Sequence, residues 1–480
     1  MYRFFLFIVL LSATHSLIGQ NIPGLVFGGS NNDIGTAICQ TEDEGFLLVG
    51  TTRSFGNGSE DIYLIKLNKF FQTQWEETTG KTHRDVIRSV IEVNDGFLMA
   101  GDAWDIGLSR SEVYLQKTSK NGDLLWRKGY GTQQNERGFD FIKSTDNYLY
   151  LLGYSRGYDN RGDVLLIKTD TSGNEIWRSS FGYEYDDYGM GLIEDKNGDI
   201  VIIGSRDGFF DDVHVNYKEH DADFFLAKLN PQGQILWKKS FGGNEHDFGY
   251  GILNGPDDTY YISGSTQTNS NGKFDMFLAN TDTAGNILWQ TNFGGENYEY
   301  CVSIIKNSDE DLFLVGTTKS FSNSADIYLI KTNPYGEEIW SLTIDGDKTD
   351  YGNNIISTDD GGCIVIGQSQ DSLGIFNLVI TKINTHGIIE GITWKNKNPV
   401  IPDIAFGPNP MRNKGNFFYS GNTKLLVKIT NINGQTIETF SIENGETTFN
   451  RGGLSAGSYI YSILNQTEET VFFRGKIVIQ

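Results

Sequence analysis

The sequence predicts an all-β chain: a seven-bladed β-propeller of four-stranded blades followed by a small C-terminal β-sandwich. Three observations predict it. Seven of the eight tryptophans recur on a near-regular grid, Trp75, Trp126, Trp177, Trp237, Trp289, Trp340 and Trp394, in steps of 51, 51, 60, 52, 51 and 54 residues. Short apolar runs bounded by Gly, Asn and Asp clusters occur throughout, while few windows carry the i, i+3, i+4 spacing of an amphipathic helix. Fifty-seven glycines against eight prolines, with 13% aromatic residues, indicate tight turns between packed strands rather than disorder.

Each unit reads as four strands, clearest in the sixth: YCVSII as strand A, DLFLVGTT as B, DIYLIKTN as C and EEIWSLTI as D. Strand C is apolar almost throughout, as a strand covered on both faces should be. A glycine closes strand B in every unit (Gly50, Gly101, Gly153, Gly204, Gly264, Gly316, Gly367). Most units place another glycine four residues before the tryptophan, at Gly122, Gly173, Gly233, Gly285 and Gly336, where a tight turn needs positive φ. Units of about 50 residues with four strands are the signature of propeller blades, and stacking them buries the faces that one blade cannot bury alone. The regular tryptophan is expected to pack between blades. A linear β-solenoid is the alternative, although its coils repeat at shorter periods. Leu25 to Phe27 reads as the outer end of a D strand that the N-terminus would add to the last blade. Tryptophan-containing propeller repeats of secreted bacterial proteins resemble these units over residues 25–395, a resemblance that implies fold and not function.

Charge and targeting narrow the partners. A formal charge of −22 repels nucleic acid and disfavours an anionic membrane surface. Arg3 followed by the apolar run Phe4 to Leu11 predicts a signal peptide over residues 1–20, cleaved near Gly19 or Gln20. The run is too short to span a bilayer, and no later segment approaches 18 apolar residues, so no transmembrane segment is expected. No cysteine near the cleavage point suggests a lipoprotein anchor. Cys39, Cys301 and Cys363 are too few and too odd in number for a disulfide framework, and read as buried hydrophobes.

The propeller is expected over 21–395, a linker over 396–403 and a terminal domain over 404–480. That domain carries GPNP, then LLVKITNINGQTI with an Asn-Gly turn, LSAGSYIYSI and GKIVIQ, which are alternating strands of a small antiparallel sandwich. Pro408, Asn409, Pro410, Asn433, Gly434, Gln435, Leu454, Gly457, Tyr459, Gly475, Lys476, Ile477 and Val478 resemble the C-terminal sorting domain of the type IX secretion system of Bacteroidota. The resemblance implies passage through the periplasm, the type IX translocon and sorting machinery as partners, and a secreted or outer-membrane-surface destination. An ordinary terminal sandwich, such as a carbohydrate-binding module, is the alternative.

Chemistry has few anchors. An acid recurs near the start of every strand A: Asp33, Asp85, Glu136, Asp187, Asp247, Glu299 and Asp350. Seven equivalent catalytic carboxylates are implausible, so these acids are expected to fix the D–A loops by accepting backbone N–H groups. A second polar position opens strand C (Asp61, Glu112, Asp163, Asp223, Asp275, Asp326, Asn377), and a lysine follows five residues on in six units. The oxygen-rich loops suit Ca²⁺, but no unit has EF-hand spacing, and no other cofactor is expected. The D–A and B–C loops share one face, which is commonly the binding face of a propeller. There, blade four carries an insertion from Asp207 to Asp223 that supplies Phe209, Phe210, Tyr217, His214 and His220, close to His246 and Asp247 of the next D–A loop. His214, His220, His246 and Asp247 are candidate metal ligands, the alternative being a solvated polar loop. Trp104, off the tryptophan grid, and Tyr158, Phe209, Phe210 and Tyr217 are candidate ligand-binding aromatics. Phe55 and Phe321 occupy loops equivalent to those of Trp104 and Tyr158, and such rings can instead pack loop against loop. No nucleophile elbow, P-loop, HExxH or dinucleotide fingerprint appears, so no catalytic residue is assigned.

The reading is a secreted or surface-bound, non-enzymatic propeller that binds glycan or protein across its loop face. The alternatives are a propeller hydrolase or lyase acting on polysaccharide, and a purely structural surface protein. An enzyme would need irregular acids or arginines near the axis, and only the blade-four insertion offers candidates from sequence.

Overall fold

The computed structural model describes residues 24–479 except 81–82, 106–109, 133, 157–161, 185, 207, 212–213, 218–221, 323, 347, 391–403, 408–410, 420–423, 432–434, 444 and 466–470. The predicted signal peptide, Tyr158, His220, Trp394 and Pro408–Pro410 therefore lie outside the described residues.

Local chemistry makes each blade. In blade 1, strand A is Asp33–Gln40, B is Phe46–Thr52, C is Asp61–Leu67 and D is Thr73–Thr79, paired antiparallel in that order. Strands B and C are buried at every position. Their β-branched and aromatic side chains cover both faces, and each fully buried Leu or Ile contributes roughly 1.5–3 kcal/mol. The C–D turns are built by one polar residue. Asp170 Oδ1, for example, accepts from Ser172 N at 2.9 Å and Asn174 N at 2.8 Å, and Asn333 Oδ1 does the same for Tyr335 N and Glu337 N at 3.0 Å each. Gly173 and Gly336 then turn the chain at φ 74° and 79°.

Six such sheets follow one another, and a seventh uses strands from both ends of the repeat region. The innermost strands, Asp33–Gln40, Asp85–Val93, Glu136–Lys143, Asp187–Glu194, Asp247–Asn254, Glu299–Lys306 and Asp350–Ser357, neighbour one another in sequence order, and the last also neighbours the first. The ring is thus closed, and the architecture is a seven-bladed β-propeller. One 3-10 turn, Pro256–Asp258, interrupts the all-β pattern among the described residues.

Closure follows the expected device. Leu25–Phe27 pairs with Leu378, Val379 and Ile380 of the blade-seven C strand, Phe376–Ile383. Ile389–Glu390 pairs with Lys382 and Ile383 of the same strand. The outer strand of blade 7 is therefore shared between two distant segments. In blades 1 to 4 and 6 the tryptophan stands opposite the strand-C lysine, as in Lys331↔Trp340. In blade 7 Glu390 stands opposite Lys382, so the register position expected for Trp394 belongs to Glu390.

The C-terminal strands form two further sheets. One contains Ile404–Gly407, Lys414–Tyr419 and Gly445–Asn450, and the other Thr436–Ile442, Leu425–Asn431, Gly457–Asn465 and Val471–Ile479. Phe406, Phe417 and Phe449 of the first pack with Val427, Ile429, Tyr461 and Ile463 of the second, which is a β-sandwich core.

Candidate functional site

The repeated polar positions fix loops and blades. Asp33 accepts from Gly29 N at 2.8 Å, Asp350 from Gly346 N at 2.8 Å, Glu299 from Gly295 N at 2.7 Å and Asp247 from Gly243 N at 3.1 Å. Asp187 accepts from Tyr183 N and Glu136 from the Thr132 hydroxyl. Asp85 is buried at the same place. These acids lie next to the strand-C acids of the preceding blade: a Cβ at Gly294 would stand 2.6 Å from Glu299 Oε2 and 2.2 Å from Asp275 Oδ1. Burial raises the pKa of Asp275, and Glu299 beside it adds to the rise. Among the described residues no group of three or more His, Cys, Asp or Glu is placed to hold a metal ion. The lysines of strand C meet acids of the A–B turns, as in Lys66–Asp43 at 2.9 Å, Lys228–Asp195 at 2.6 Å and Lys382–Asp360 at 2.6 Å. Blade 5 replaces that pair with Asn280 Nδ2 donating to Thr259 Oγ1 at 2.9 Å.

One position behaves differently. Every innermost strand slips register by one residue at the same point, between Gly35/Ala37, Ile87/Ser89, Gly138/Asp140, Gly189/Gly191, Gly249/Gly251, Cys301/Ser303 and Gly352/Asn354. Such a bulge frees a residue from the ladder and re-aims it. The skipped residues are Thr36, Arg88, Phe139, Met190, Tyr250, Val302 and Asn353, and all seven line one cavity of about 720 Å³ on the propeller axis. The cavity also takes Asn32, Arg53, Glu60, Arg84, Gln368 and Phe376 from the D–A and B–C side, so it includes the face expected to bind.

The wall from blades 1 to 3 is charged. Arg53 Nε donates to Glu60 Oε1 at 2.9 Å, and Arg84 Nε donates to Glu60 Oε2 at 2.7 Å. Arg84 Nη1 reaches Asp102 Oδ2 at 3.5 Å, and Arg88 bonds Asp102 Oδ1. Arg88 also donates to Gly138 O at 3.2 Å and lies over the Phe139 ring. Arg137 and Asp140 complete this wall. Asp140 accepts from Phe141 N at 2.8 Å, and burial pushes its carboxyl up to about 6 against hydrogen bonds from Ser89 and the backbone.

Sequence reasoning missed this network. It expected irregular chemistry only in the blade-four insertion, whereas the channel draws arginines from blades 1, 2 and 3. The available signal was departure from the repeat: Arg84, Arg88, Asp102, Arg137 and Asp140 each occupy a position where the other blades carry unrelated residues.

Trp104 does not sit in a loop. It lies one residue from the end of strand Gly96–Asp105, opposite Ser111, and its N donates to the carbonyl of the channel-lining Arg84 at 2.9 Å, with 39% of its surface exposed. The blade-four insertion is a β-hairpin in which Gly208–Asp211 pairs with His214–Tyr217. Its first strand neighbours the innermost strands of blades 4 and 5, beside the same mouth. Phe209, Phe210, His214 and Tyr217 are placed by this backbone. His246 Nδ1 accepts from Ala222 N at 3.0 Å, and Asp247 accepts from Thr268 Oγ1 at 2.9 Å. Phe55 and Phe321 pack on Tyr63 and Tyr328, with ring centroids 5.5 and 5.1 Å apart. Cys301 and Cys363 are buried free thiols, and burial raises the Cys301 thiol to about 12. In the terminal sandwich, Tyr459 is buried with its hydroxyl donating to Ser455 O at 3.0 Å. Gly457 opens strand Gly457–Asn465, and Gly475 and Lys476 lie in Val471–Ile479.

Fold and tail together define an exported propeller. Residues 406–480 match the secretion system C-terminal sorting domain. A type IX sorting tail implies contact with the secretion machinery and indicates secretion or a cell-surface location. No helix among the described residues is long and apolar enough to cross a membrane. No curated protein sequence matches the chain. Among solved structures, it is similar to the Neurospora crassa Pan2 WD40 domain, with 10% identity, 73% of this chain and 89% of that one covered, and a TM-score of 0.45. It is also similar to puromycin hydrolase (10% identity, 93% and 60% covered, TM-score 0.47) and to a fungal alcohol oxidase of the AA5 family in complex with copper (9%, 95% and 100%, TM-score 0.45). At these values the propeller assignment rests on strand pairing and no activity is carried across.

Proposed function

We propose that the chain is a non-enzymatic binding protein of the cell exterior that takes a glycan or protein ligand at the D–A and B–C face, over the mouth of the axial channel. The ring of skipped residues carries this reading. Where blades need the same service from a residue, the repeat supplies the same residue type: an acid, a lysine, a tryptophan. At the channel-facing position it supplies seven different ones. A wall made differently by each blade suits one asymmetric ligand, and a cavity of about 720 Å³ falls in the range of small-ligand sites. A glycan-array and metal-content screen of the secreted protein tests it. Binding to a defined ligand class, lost on Trp104→Ala or on deleting 208–217, is the expected result. A clean array with no retained metal and no protein captured at that face would leave a structural surface role.

One observation favours a second reading, a hydrolase or lyase. Asp140, held near 6 in a cavity beside arginines, has the character of a general acid. Asp140→Asn would then abolish turnover of a bound polysaccharide while leaving binding intact. Absence of any product from a ligand that binds would remove this reading.

A further inference from the structure

The sign of the channel opposes the sign of the chain. The whole molecule carries −22, yet the charged side chains lining the cavity are four arginines, Arg53, Arg84, Arg88 and Arg137, and two carboxylates, Glu60 and Asp140. Behind them, Asp102 is 3% exposed. Glu60 is shared by Arg53 and Arg84, and Asp102 by Arg84 and Arg88. Three guanidiniums therefore share two carboxylates, and the carboxylates hold them in fixed orientation. Guanidinium forks take planar two-oxygen anions in bidentate fashion, and walls of low dielectric concentrate their field. Glu60 and Asp102 each bridge two of these arginines, with a different guanidinium on each carboxylate oxygen. The rest of the lining is largely aliphatic, with Leu192, Ile252, Val302 and Ile304 from blades 4 to 6, and among these stand Tyr250 of blade 5 and Tyr351 and Asn353 of blade 7. Flat rings and amides suit the faces and hydroxyls of sugars.

We propose that the axial channel binds an acidic saccharide whose carboxylate seats on the arginines of blades 1 to 3 while its sugar ring meets Tyr250 and the apolar wall of blades 4 to 6 opposite. This rests on the reading of the channel as the binding site. It selects carboxylated sugars over neutral ones and over protein ligands, which need a broader contact than one channel gives.

The test is calorimetric titration of the secreted full chain with trigalacturonate, with neutral galactotriose, with a sulfated galactan oligomer and with citrate. Trigalacturonate is expected to bind at least tenfold more tightly than the other three. The double variant Arg84→Gln, Arg88→Gln is expected to lose at least tenfold in affinity with an unchanged circular dichroism spectrum. Should that variant misfold, Arg53→Gln, whose side chain is 55% exposed, serves in its place and is expected to weaken binding severalfold. Equal binding of neutral galactotriose, unaffected by either variant, overturns the acidic assignment and leaves the channel as a binding site. Tighter binding of the sulfated oligomer overturns the carboxylate, and citrate binding as well as trigalacturonate overturns the saccharide. No binding of any of the four, together with a clean glycan array, overturns both this inference and the reading beneath it.

Discussion

A tryptophan and a turn glycine from adjacent blades meet repeatedly around the propeller. A Cβ built at Gly122 would stand 2.9 Å from the Trp75 ring, at Gly285 2.9 Å from Trp237, and at Gly336 2.5 Å from Trp289. The glycine is thus required twice, for positive φ and for the ring of the preceding blade. Gly198 separates the two requirements: it has the same φ of 79° as Gly336, but its nearest neighbour, Glu194 Oε1, is 3.9 Å away. Gly198→Ala should cost about 1 kcal/mol from backbone strain alone. Gly336→Ala should cost about 3 kcal/mol, because the ring must also move. Urea denaturation of both variants checks the difference, and equal losses would mean that the indole yields freely. The tryptophan's packing role was legible because its spacing repeats. Arg84, Arg88 and Arg137 were not, since they occupy positions the repeat leaves unconstrained and meet only when the ring closes.

The junction between blades 7 and 1 departs from this scheme on both sides. Glu390 replaces the tryptophan, and Phe71, at φ 60°, replaces the turn glycine. Phe71 stacks on Phe46 at 5.0 Å and joins a cluster with Leu25, Phe27, Leu378 and Ile380. A large side chain on one blade thus compensates for the ring missing from the other. The three-residue strand Leu25–Phe27 completes the junction, with Val26 packed against the cluster of blades 6 and 7. Placing a charge there removes apolar burial and opposes closure, so Val26→Asp should cost about 2–3 kcal/mol. Scanning calorimetry should show a lower and broader transition. A transition as sharp as that of the parent would show that Ile389–Glu390 alone closes the ring. The closing strand was legible from LVF preceding the first loop. The hairpin Gly208–Tyr217 was not, because the pair between its strands, Asp212 and Val213, lacks the Asn-Gly or Gly signal of a tight turn.

Across the whole propeller two populations of carboxylates act on stability in opposite directions. Burial pushes Asp326 up to about 7, with Asp345 and Asp350 adding to the rise, and burial holds Asp140 near 6. Asp247 and Asp275 are raised by the same desolvation. A group raised above its unfolded value of about 4 favours the folded state while protonated, so its contribution is complete below pH 4 and lost as pH rises toward 7. Asp43 shows the reverse: partial burial works against it, yet Lys66 holds it down to about 2. Asp195 and Asp360 are lowered in the same way by Lys228 and Lys382, burial again opposing. These contribute above pH 4 and fade as pH falls below it. The sum predicts maximal stability near pH 4–5 and a decline toward pH 8, reinforced by self-repulsion within a chain of −22. Asp326 alone accounts for a span on the order of 3–4 kcal/mol. Denaturant midpoints measured from pH 4 to pH 8 should therefore fall with pH, and Asp326→Asn, which keeps the shape and removes the charge, should flatten that limb. If the slope persists unchanged in Asp326→Asn, Asp326 does not govern how the propeller responds to pH, and net repulsion together with Asp140, Asp247 and Asp275 does.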